Sequence, residues 1–244
     1  MQQKKSARLT SIRYLKGVGP AREALCRKLQ IETVNDLLFY LPRRYEDRSH
    51  FVPIRSLVPG SLATVAGQVI AARVRATKRG MLVFELTLSD GTGVIRGVWF
   101  NQPYLQKFFR AGQRLILYGK VEYYGRLQIN QPEYEVMSDT DNALHIGRIV
   151  PLYSLTQGIS HRYVRTLVHT ALRDYLGSVP ETMPAKLRAR YHLLDIHRAL
   201  QTIHFPQTME AVAQAYRRLV FEEFFLLQLL LAISRSSARR TGTS

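Results

Sequence analysis

Aromatic and basic side chains lie close together in one stretch, residues 96–110, of this 244-residue sequence. Trp99 and Phe100 are adjacent, and Tyr104 follows four residues after Phe100. The basic residues of the stretch are Arg96, Lys107 and Arg110. An aromatic ring beside a groove can stack on an unpaired base, and lysine or arginine can neutralise a phosphate. The stretch therefore carries side chains suited to binding nucleic acid.

The elements that must position this stretch form a predicted small barrel. Alternating apolar runs bounded by glycine turns predict five strands, with the short helix Pro103–Phe109 between the third and the fourth. The five strands are Leu62–Ala76, Met81–Ser89, Val94–Asn101, Arg114–Tyr124 and Leu127–Val136. This order is that of an OB-fold, a barrel that binds oligonucleotides. The predicted fold class is α+β: an OB-fold barrel flanked by N-terminal and C-terminal helical segments.

The pattern of the third strand leaves the orientation of its two aromatic residues open. Successive side chains of a strand point to opposite faces, so either Trp99 or Phe100 lies outside the barrel. Val94 and Val98 share the phase of Phe100 and favour placing it inside, whereas Arg96 has the same phase and favours the outside. A third possibility is that both rings close the bottom of the barrel.

Helical patterns on both sides of the barrel predict three regions: residues 1–60, the barrel at 61–137, and residues 138–244. The predicted helices are Ala21–Leu29, Val34–Leu41, Ser160–Leu176, a short one ending at Tyr191, Leu194–Ile203 and Met209–Arg235. The last helix is unusually apolar over Leu219–Ile233, and such a helix is normally covered. We expect it to pack on the other helices or on a domain that follows, so the chain is expected to be the front part of a longer protein.

Composition points to a polyanionic partner rather than to catalysis. Lys and Arg number 35 against 18 Asp and Glu, a net charge of +17 spread over the whole chain, and the isoelectric point is near 10.3. Neither a phosphate loop, a nucleophile elbow nor an HExxH motif occurs, so no catalytic residue is predicted. The single cysteine, Cys26, and the scattered histidines predict no disulfide, no metal site and a reducing cytoplasm.

Two further motifs have both a binding and a structural interpretation. Lys16, Gly17, Gly19 and Arg22 outline the glycine turn of a helix-hairpin-helix, in which backbone N–H groups approach a phosphate. The same pattern also fits a tight turn between packed helices. The charged cluster Leu41–Arg48 could contact phosphates, or Glu46 and Asp47 could neutralise its arginines in a salt-bridged linker, which is the interpretation we favour.

Several separate stretches, in order along nearly the whole chain, resemble the N-terminal part of the bacterial RecG family of ATP-dependent DNA helicases. They are Leu15–Pro20, Asp36–Arg48, Leu88–Gly93, Phe100–Leu105, Gly119–Lys120, Pro132–Tyr134, Ile149–Tyr153, Ile203–Pro206 and Arg217–Phe225. The resemblance implies a wedge: an OB barrel that splits the arms of stalled forks and Holliday junctions, braced by helices against a motor. The motor, with its ATP and magnesium, would follow residue 244, so no cofactor is expected in this part and a monomer is expected.

The resemblance also implies which residues contact DNA. The positions that match Phe100 and Tyr104 stack on bases where the fork opens, with Trp99 supporting them or filling the barrel. The basic residues near these rings are candidates for the phosphates of the arms: Arg96, Lys107, Arg110 and Arg126. Trp99, Lys78 and Arg79 are further candidate DNA-binding residues. Two alternatives stay open: a stand-alone OB module for single-stranded nucleic acid or structured RNA, and a protein-interaction domain whose basic surface faces an acidic partner.

Overall fold

The computed structural model describes residues 6–77, 80–137 and 147–241 of the chain. The chain divides into two compact units. One unit combines the residues up to Arg44 with those from Pro151 onward, and the other is Tyr45–Val150. The first is built mainly from helices and the second mainly from strands, so the α+β class is confirmed.

The unit Tyr45–Val150 contains a curled six-stranded sheet in the order β2-β3-β4-β6-β5-β7, and an additional pairing of β2 with β5 closes it. The sheet strands are β2 Leu62–Ala76, β3 Leu82–Ser89, β4 Val94–Phe100, β5 Arg114–Tyr123, β6 Leu127–Asn130 and β7 Glu133–Val136. Two short strands outside this sheet, β1 Arg44–Asp47 and β8 Ile149–Leu152, pair with each other. The predicted OB-type barrel is therefore present.

Within the six-stranded sheet, the strand count differs from the prediction at one place. The predicted strand Leu127–Val136 is two strands, because Gln131 adopts a left-handed φ of 49° and Pro132 has no N–H to donate to a ladder. The predicted helix Pro103–Phe109 is a 3₁₀ helix, Pro103–Lys107. Its Leu105 is buried in the barrel core, as is Phe109 just beyond it.

The barrel core is filled from the inner faces of the strands, and one glycine allows two of them to approach. The core includes Phe84, Leu86, Leu88, Ile95, Trp99, Leu115, Leu117, Val121 and Ile129. A Cβ on Gly67 would lie 2.5 Å from the carbonyl oxygen of Ser89. Any side chain at position 67 would therefore push β2 away from the end of β3.

The helical unit contains α1 Pro20–Lys28, α2 Val34–Leu38, α3 His161–Tyr175, α4 Ala185–Tyr191, α5 Ile196–His204 and α6 Met209–Thr241. Side-chain caps begin two of these helices. Thr33 and Asp36 form a capping box on α2, and Ser160 Oγ accepts a hydrogen bond from the Tyr163 N–H at the start of α3. These bonds satisfy N–H groups that have no partner within the helix.

The apolar half of α6 is not covered by the other helices of the described chain, so that part of the prediction is wrong. α6 packs on α5, and Leu219 is buried. Beyond it, however, Phe224 is 62% exposed and Leu230 63% exposed. The hydrophobic run indicated burial, but the helix extends past the elements that could cover it.

A buried histidine joins three elements of the helical unit. His204 is fully buried, with Nε2 2.8 Å from the Leu38 carbonyl oxygen and Nδ1 2.9 Å from the Tyr153 hydroxyl. Burial lowers the pKa of His204 to about 4, although the hydrogen bond to Leu38 opposes the shift. The imidazole is therefore neutral in the folded protein at neutral pH.

We expect this histidine to make the helical unit sensitive to acid. Because the unfolded chain takes up the proton near pH 6.5 and the folded chain only near pH 4, the stabilisation is complete above pH 6.5 and is lost as the pH falls towards 4. The loss amounts to about 3 kcal/mol. Urea unfolding of wild type and His204→Gln at several pH values measures it: the variant should show a flatter pH profile, and parallel profiles would contradict the assignment.

Candidate nucleic-acid interface

The register of β3 and β4 decides which aromatic residue faces outward. Val83 lies opposite Phe100, and Phe84 lies opposite Trp99. Residues directly opposite each other share a face of the sheet. Since Phe84 is in the barrel core, Trp99 points inward and Phe100 points outward.

Trp99 is part of the core and not of the surface. It is 3% exposed, its ring lies 5.5 Å from that of Phe84, and its Nε1–H donates to the Pro132 carbonyl oxygen at 3.2 Å. Because Trp99 is buried, its side chain cannot contact a base, and the prediction of Trp99 as a DNA-binding residue is wrong. It supports the strand from which Phe100, partly exposed, projects.

The chain leaves β4 through a turn that exposes a second ring. Asn101 adopts a left-handed φ of 54°, and the 3₁₀ helix then begins at Pro103. Tyr104 is 54% exposed, and its hydroxyl donates to Gln102 Oε1 at 3.0 Å. The adjacent Gln102 amide donates to Gln131 Oε1 at 3.0 Å, which joins this turn to the segment between β6 and β7.

One exposed aromatic near Tyr104 was missed by the sequence reasoning. Phe108 is 62% exposed and packs edge-to-face on Tyr104, with ring centroids 6.5 Å apart. Leu105 and Phe109 point into the core, so the turn has an apolar inner side and an aromatic outer side. Tyr104 and Phe108 are four residues apart, and so are Leu105 and Phe109. This spacing places each pair on its own side of the turn, and it is the signal that could have predicted the arrangement.

The predicted basic residues fall at different places on the barrel. Lys107 and Arg110 are exposed in and just after the 3₁₀ helix. Arg96 is partly exposed, opposite Thr87 and beside Gln128 of β6. Arg126 is exposed in the turn between β5 and β6. Lys78 and Arg79 lie outside the described residues.

The turn that holds Arg126 also carries two tyrosines that were not predicted as site residues. Tyr123 is 62% exposed and Tyr124 is 68% exposed. Tyr123 is the last residue of β5 and Tyr124 the first residue of the turn. Two aromatic residues directly before Gly125 and Arg126 are the signal that could have found them. Since Gln128 pairs with Arg96 near the beginning of β4, this turn lies towards the opposite end of β4 from Phe100.

The glycine turn near the N terminus is held by side chains of its own unit. Gly17 has a φ of 100°, and its carbonyl oxygen accepts hydrogen bonds from Arg22 Nη1 and the Tyr163 hydroxyl, both at 3.1 Å. The Arg22 guanidinium also lies over the Tyr163 ring at 4.5 Å. Lys16 is exposed, and Gly19 caps α1 without a side chain.

The structure before this turn is not the helix of a helix-hairpin-helix. The preceding element is one 3₁₀ turn, Ile12–Tyr14. Arg22 already bonds Gly17, so the turn fits the tight-turn interpretation, and phosphate binding by Lys16, Gly17, Gly19 and Arg22 stays a prediction.

The cluster Leu41–Arg48 contains a structural ion pair. Arg48 is 3% exposed, with Nη2 2.7 Å from Glu46 Oε2 and Nη1 3.0 Å from Glu133 Oε2. Its guanidinium carbon lies 3.8 Å from the centre of the Tyr118 ring. These contacts hold the segment around Arg48 on β5 and β7 of the same unit. For this arginine they agree with the salt-bridged interpretation.

Among residues 6–77, 80–137 and 147–241, no group of three or more His, Cys, Asp or Glu side chains is placed to hold a metal ion. Across the same ranges, no helix has the length and apolar character needed to cross a membrane.

Comparison with known proteins places the whole arrangement in one family. The family model described as the RecG wedge domain matches residues 11–174. The ATP-dependent DNA helicase RecG of Thermotoga maritima is 33% identical over 238 residues, which are 96% of this chain and 30% of that protein. RecG of Escherichia coli K12 is also 33% identical, over 93% of this chain and 34% of the relative.

A solved structure of RecG bound to a three-way DNA junction superposes with a TM-score of 0.81 at 32% identity, covering 97% of this chain and 32% of that one. The chain thus spans about a third of the length of the relatives it matches. From the barrel, the flanking helices and these similarities together, it follows that the chain belongs to the RecG family and carries its wedge-domain region.

Proposed function

We propose that this chain is the DNA-binding wedge region of an ATP-dependent DNA helicase that unwinds and remodels branched DNA, namely stalled replication forks and Holliday junctions. The observation that carries the proposal is the outward orientation of Phe100 on the barrel, with the exposed Tyr104 in the turn that follows. In support, the solved RecG relative is bound to a branched DNA.

Phe100 and Tyr104 act on the bases at the branch point. A base there has lost its pairing partner, and an aromatic ring offers it a new stacking surface worth about 1–3 kcal/mol per base. Trp99, fixed in the core, keeps β4 rigid beneath Phe100. Arg96, Lys107, Arg110 and Arg126 neutralise phosphates of the separated arms, because contacts to phosphates position a duplex without reading its sequence.

The energy for unwinding comes from a part of the helicase outside this chain. The sequence contains no GxxxxGK[ST] phosphate loop, and the described residues offer no cluster of magnesium ligands. We infer that ATP and magnesium bind in the part of the helicase that this chain does not cover, since the relatives are ATP-dependent DNA helicases and the chain spans about a third of their length. The barrel, residues 61–137, serves as the wedge of a cytoplasmic monomer, and residues 1–60 and 138–244 brace it against that motor.

The proposal is tested by measuring the binding of this chain to four ligands of equal length. Forked DNA, duplex DNA, single-stranded DNA and a structured RNA are compared at one salt concentration. We expect the fork to bind most tightly. A preference for RNA or for the plain single strand would indicate a general OB module, and binding to none of the four would indicate a protein partner.

Fork binding is expected to weaken steeply with salt. Each phosphate that is neutralised releases counterions and contributes about −0.9 to the slope of log K against log salt. With a net charge of +17, we expect a slope that corresponds to at least a few contacts. A titration between about 50 and 200 mM salt measures the slope, and a flat line there would contradict a phosphate-binding surface.

A further inference from the structure

A buried carboxylate on the outer face of the barrel holds two arginines that the proposed DNA contacts do not include. Glu85 is 4% exposed; its Oε2 lies 3.1 Å from Arg73 Nη2, and its Oε1 lies 2.6 Å from Arg75 Nε. The arginine side chains themselves are 63% and 53% exposed. Burial opposes the ionisation of Glu85, but hydrogen bonds from Arg75 and Arg73 outweigh it and lower its pKa.

The register places these arginines in line with Phe100. Arg75 lies opposite Val83, which in turn lies opposite Phe100, and the three therefore form one row across β2, β3 and β4 on the outer face. Two strand spacings separate the backbone of Arg75 from that of Phe100, about 10 Å. Arg73 lies opposite Glu85 in the next row of the same face.

The cluster carries more positive charge than its carboxylate can balance. Arg96 on β4 also acts electrostatically on Glu85, so three guanidinium groups share one carboxylate. Arg75 bonds Glu85 through Nε, and the described part of the chain gives its two terminal nitrogens no hydrogen-bond partner. Arginine has five N–H donors in a fixed plane, which suits bidentate binding of a phosphate.

We propose that Arg73 and Arg75 form a phosphate-binding site for the DNA strand that passes Phe100, and that Glu85 is the positioning residue that orients both guanidinium groups. This inference rests on the proposed function. An arginine side chain loses considerable rotamer freedom when it binds a phosphate. Glu85 fixes both side chains on the outer face before DNA binds. Less side-chain entropy is therefore lost when they bind a phosphate, and the affinity is higher.

The first test removes the two charges. Arg73→Gln with Arg75→Gln is expected to bind forked DNA about tenfold more weakly. The slope of log K against log salt should become shallower by about 1.8, the value for two phosphate contacts. The matched control is Arg27→Gln with Arg173→Gln, since those arginines are 63% and 59% exposed and also pair with carboxylates. The control should keep the wild-type slope and nearly all of the affinity.

The second test separates positioning from charge. Glu85→Gln removes a negative charge from the surface, so electrostatics alone predicts tighter DNA binding, whereas loss of positioning predicts weaker binding. Glu23→Gln, which removes the carboxylate paired with Arg27, is the control and should bind as tightly as wild type or slightly more tightly. Melting temperatures are measured for each variant. If Glu85→Gln unfolds early, Arg73→Lys with Arg75→Lys replaces it, because lysine keeps both charges and loses the planar guanidinium groups that Glu85 orients. Weaker fork binding with the wild-type salt slope would support positioning, and wild-type affinity would overturn it.

The outcomes distinguish this inference from the proposed function. If Phe100→Ala with Tyr104→Ala loses fork binding but Arg73→Gln with Arg75→Gln behaves like its control, the phosphate site is overturned and the wedge stands. If Glu85→Gln is folded and binds more tightly, the positioning role is overturned. If the wild-type chain shows no binding to forked DNA, both proposals are overturned.

Discussion

Replacing both Phe100 and Tyr104 by alanine is expected to weaken fork binding by about tenfold or more, in line with the loss of one or two stacks. The fold should survive, because Tyr104 is 54% exposed and Phe100 projects from the outer face of β4. Fluorescence anisotropy with a labelled fork measures the affinity, and thermal unfolding measures the stability of the same preparation.

Two reference variants make this result interpretable. Tyr14→Ala with Tyr216→Ala removes two rings that are 73% and 52% exposed in the helical unit, and it should bind forks normally. Trp99→Ala removes a core ring and should lower the melting temperature by several degrees. If the Phe100 and Tyr104 variant melts as early as Trp99→Ala, the two rings are core residues; if it is stable and binds normally, the wedge lies elsewhere on the barrel.

Arg48→Met is expected to destabilise the barrel unit by about 2 kcal/mol, because the buried guanidinium makes charge-assisted hydrogen bonds to two partly exposed carboxylates. The change leaves Glu46 and Glu133 without their shared cation and removes the contact with the Tyr118 ring. Urea unfolding measures the effect. Arg55→Met, at an exposed position of the same unit, is the control. Equal unfolding midpoints for the two variants would show that the cluster contributes no net stability.

Local sequence signals predicted most of the barrel, for physical reasons that act over a few residues. Alternation and glycine turns mark strands, and the predicted strand Leu62–Ala76 has the bounds found in the structure. The break between β6 and β7 was not predicted, because the left-handed conformation of Gln131 does not interrupt the alternation of apolar and polar residues. The apolar end of α6 predicted burial. Whether a helix is buried depends on which other elements pack on it, and its own composition does not determine that.

The candidate site could be predicted only in part, because it depends on register. Trp99 and Phe100 have neighbours that favour both orientations, and the pairing of β3 with β4 settled the choice. The ion pairs of Glu85 with Arg73 and Arg75 join residues 12 and 10 positions apart across a hairpin. The charges of those arginines were visible in the sequence, but their fixed orientation was not.

The most direct test of the wedge places a fluorescent base analogue at the branch point of a fork, with a second fork carrying it inside one arm as reference. Stacking of a ring on the analogue changes its emission. We expect the wild-type chain to change the emission at the branch point and not within the arm, and the Phe100→Ala, Tyr104→Ala variant to leave both unchanged at saturating protein. Equal emission changes with wild type and variant at saturation would contradict stacking by these two rings.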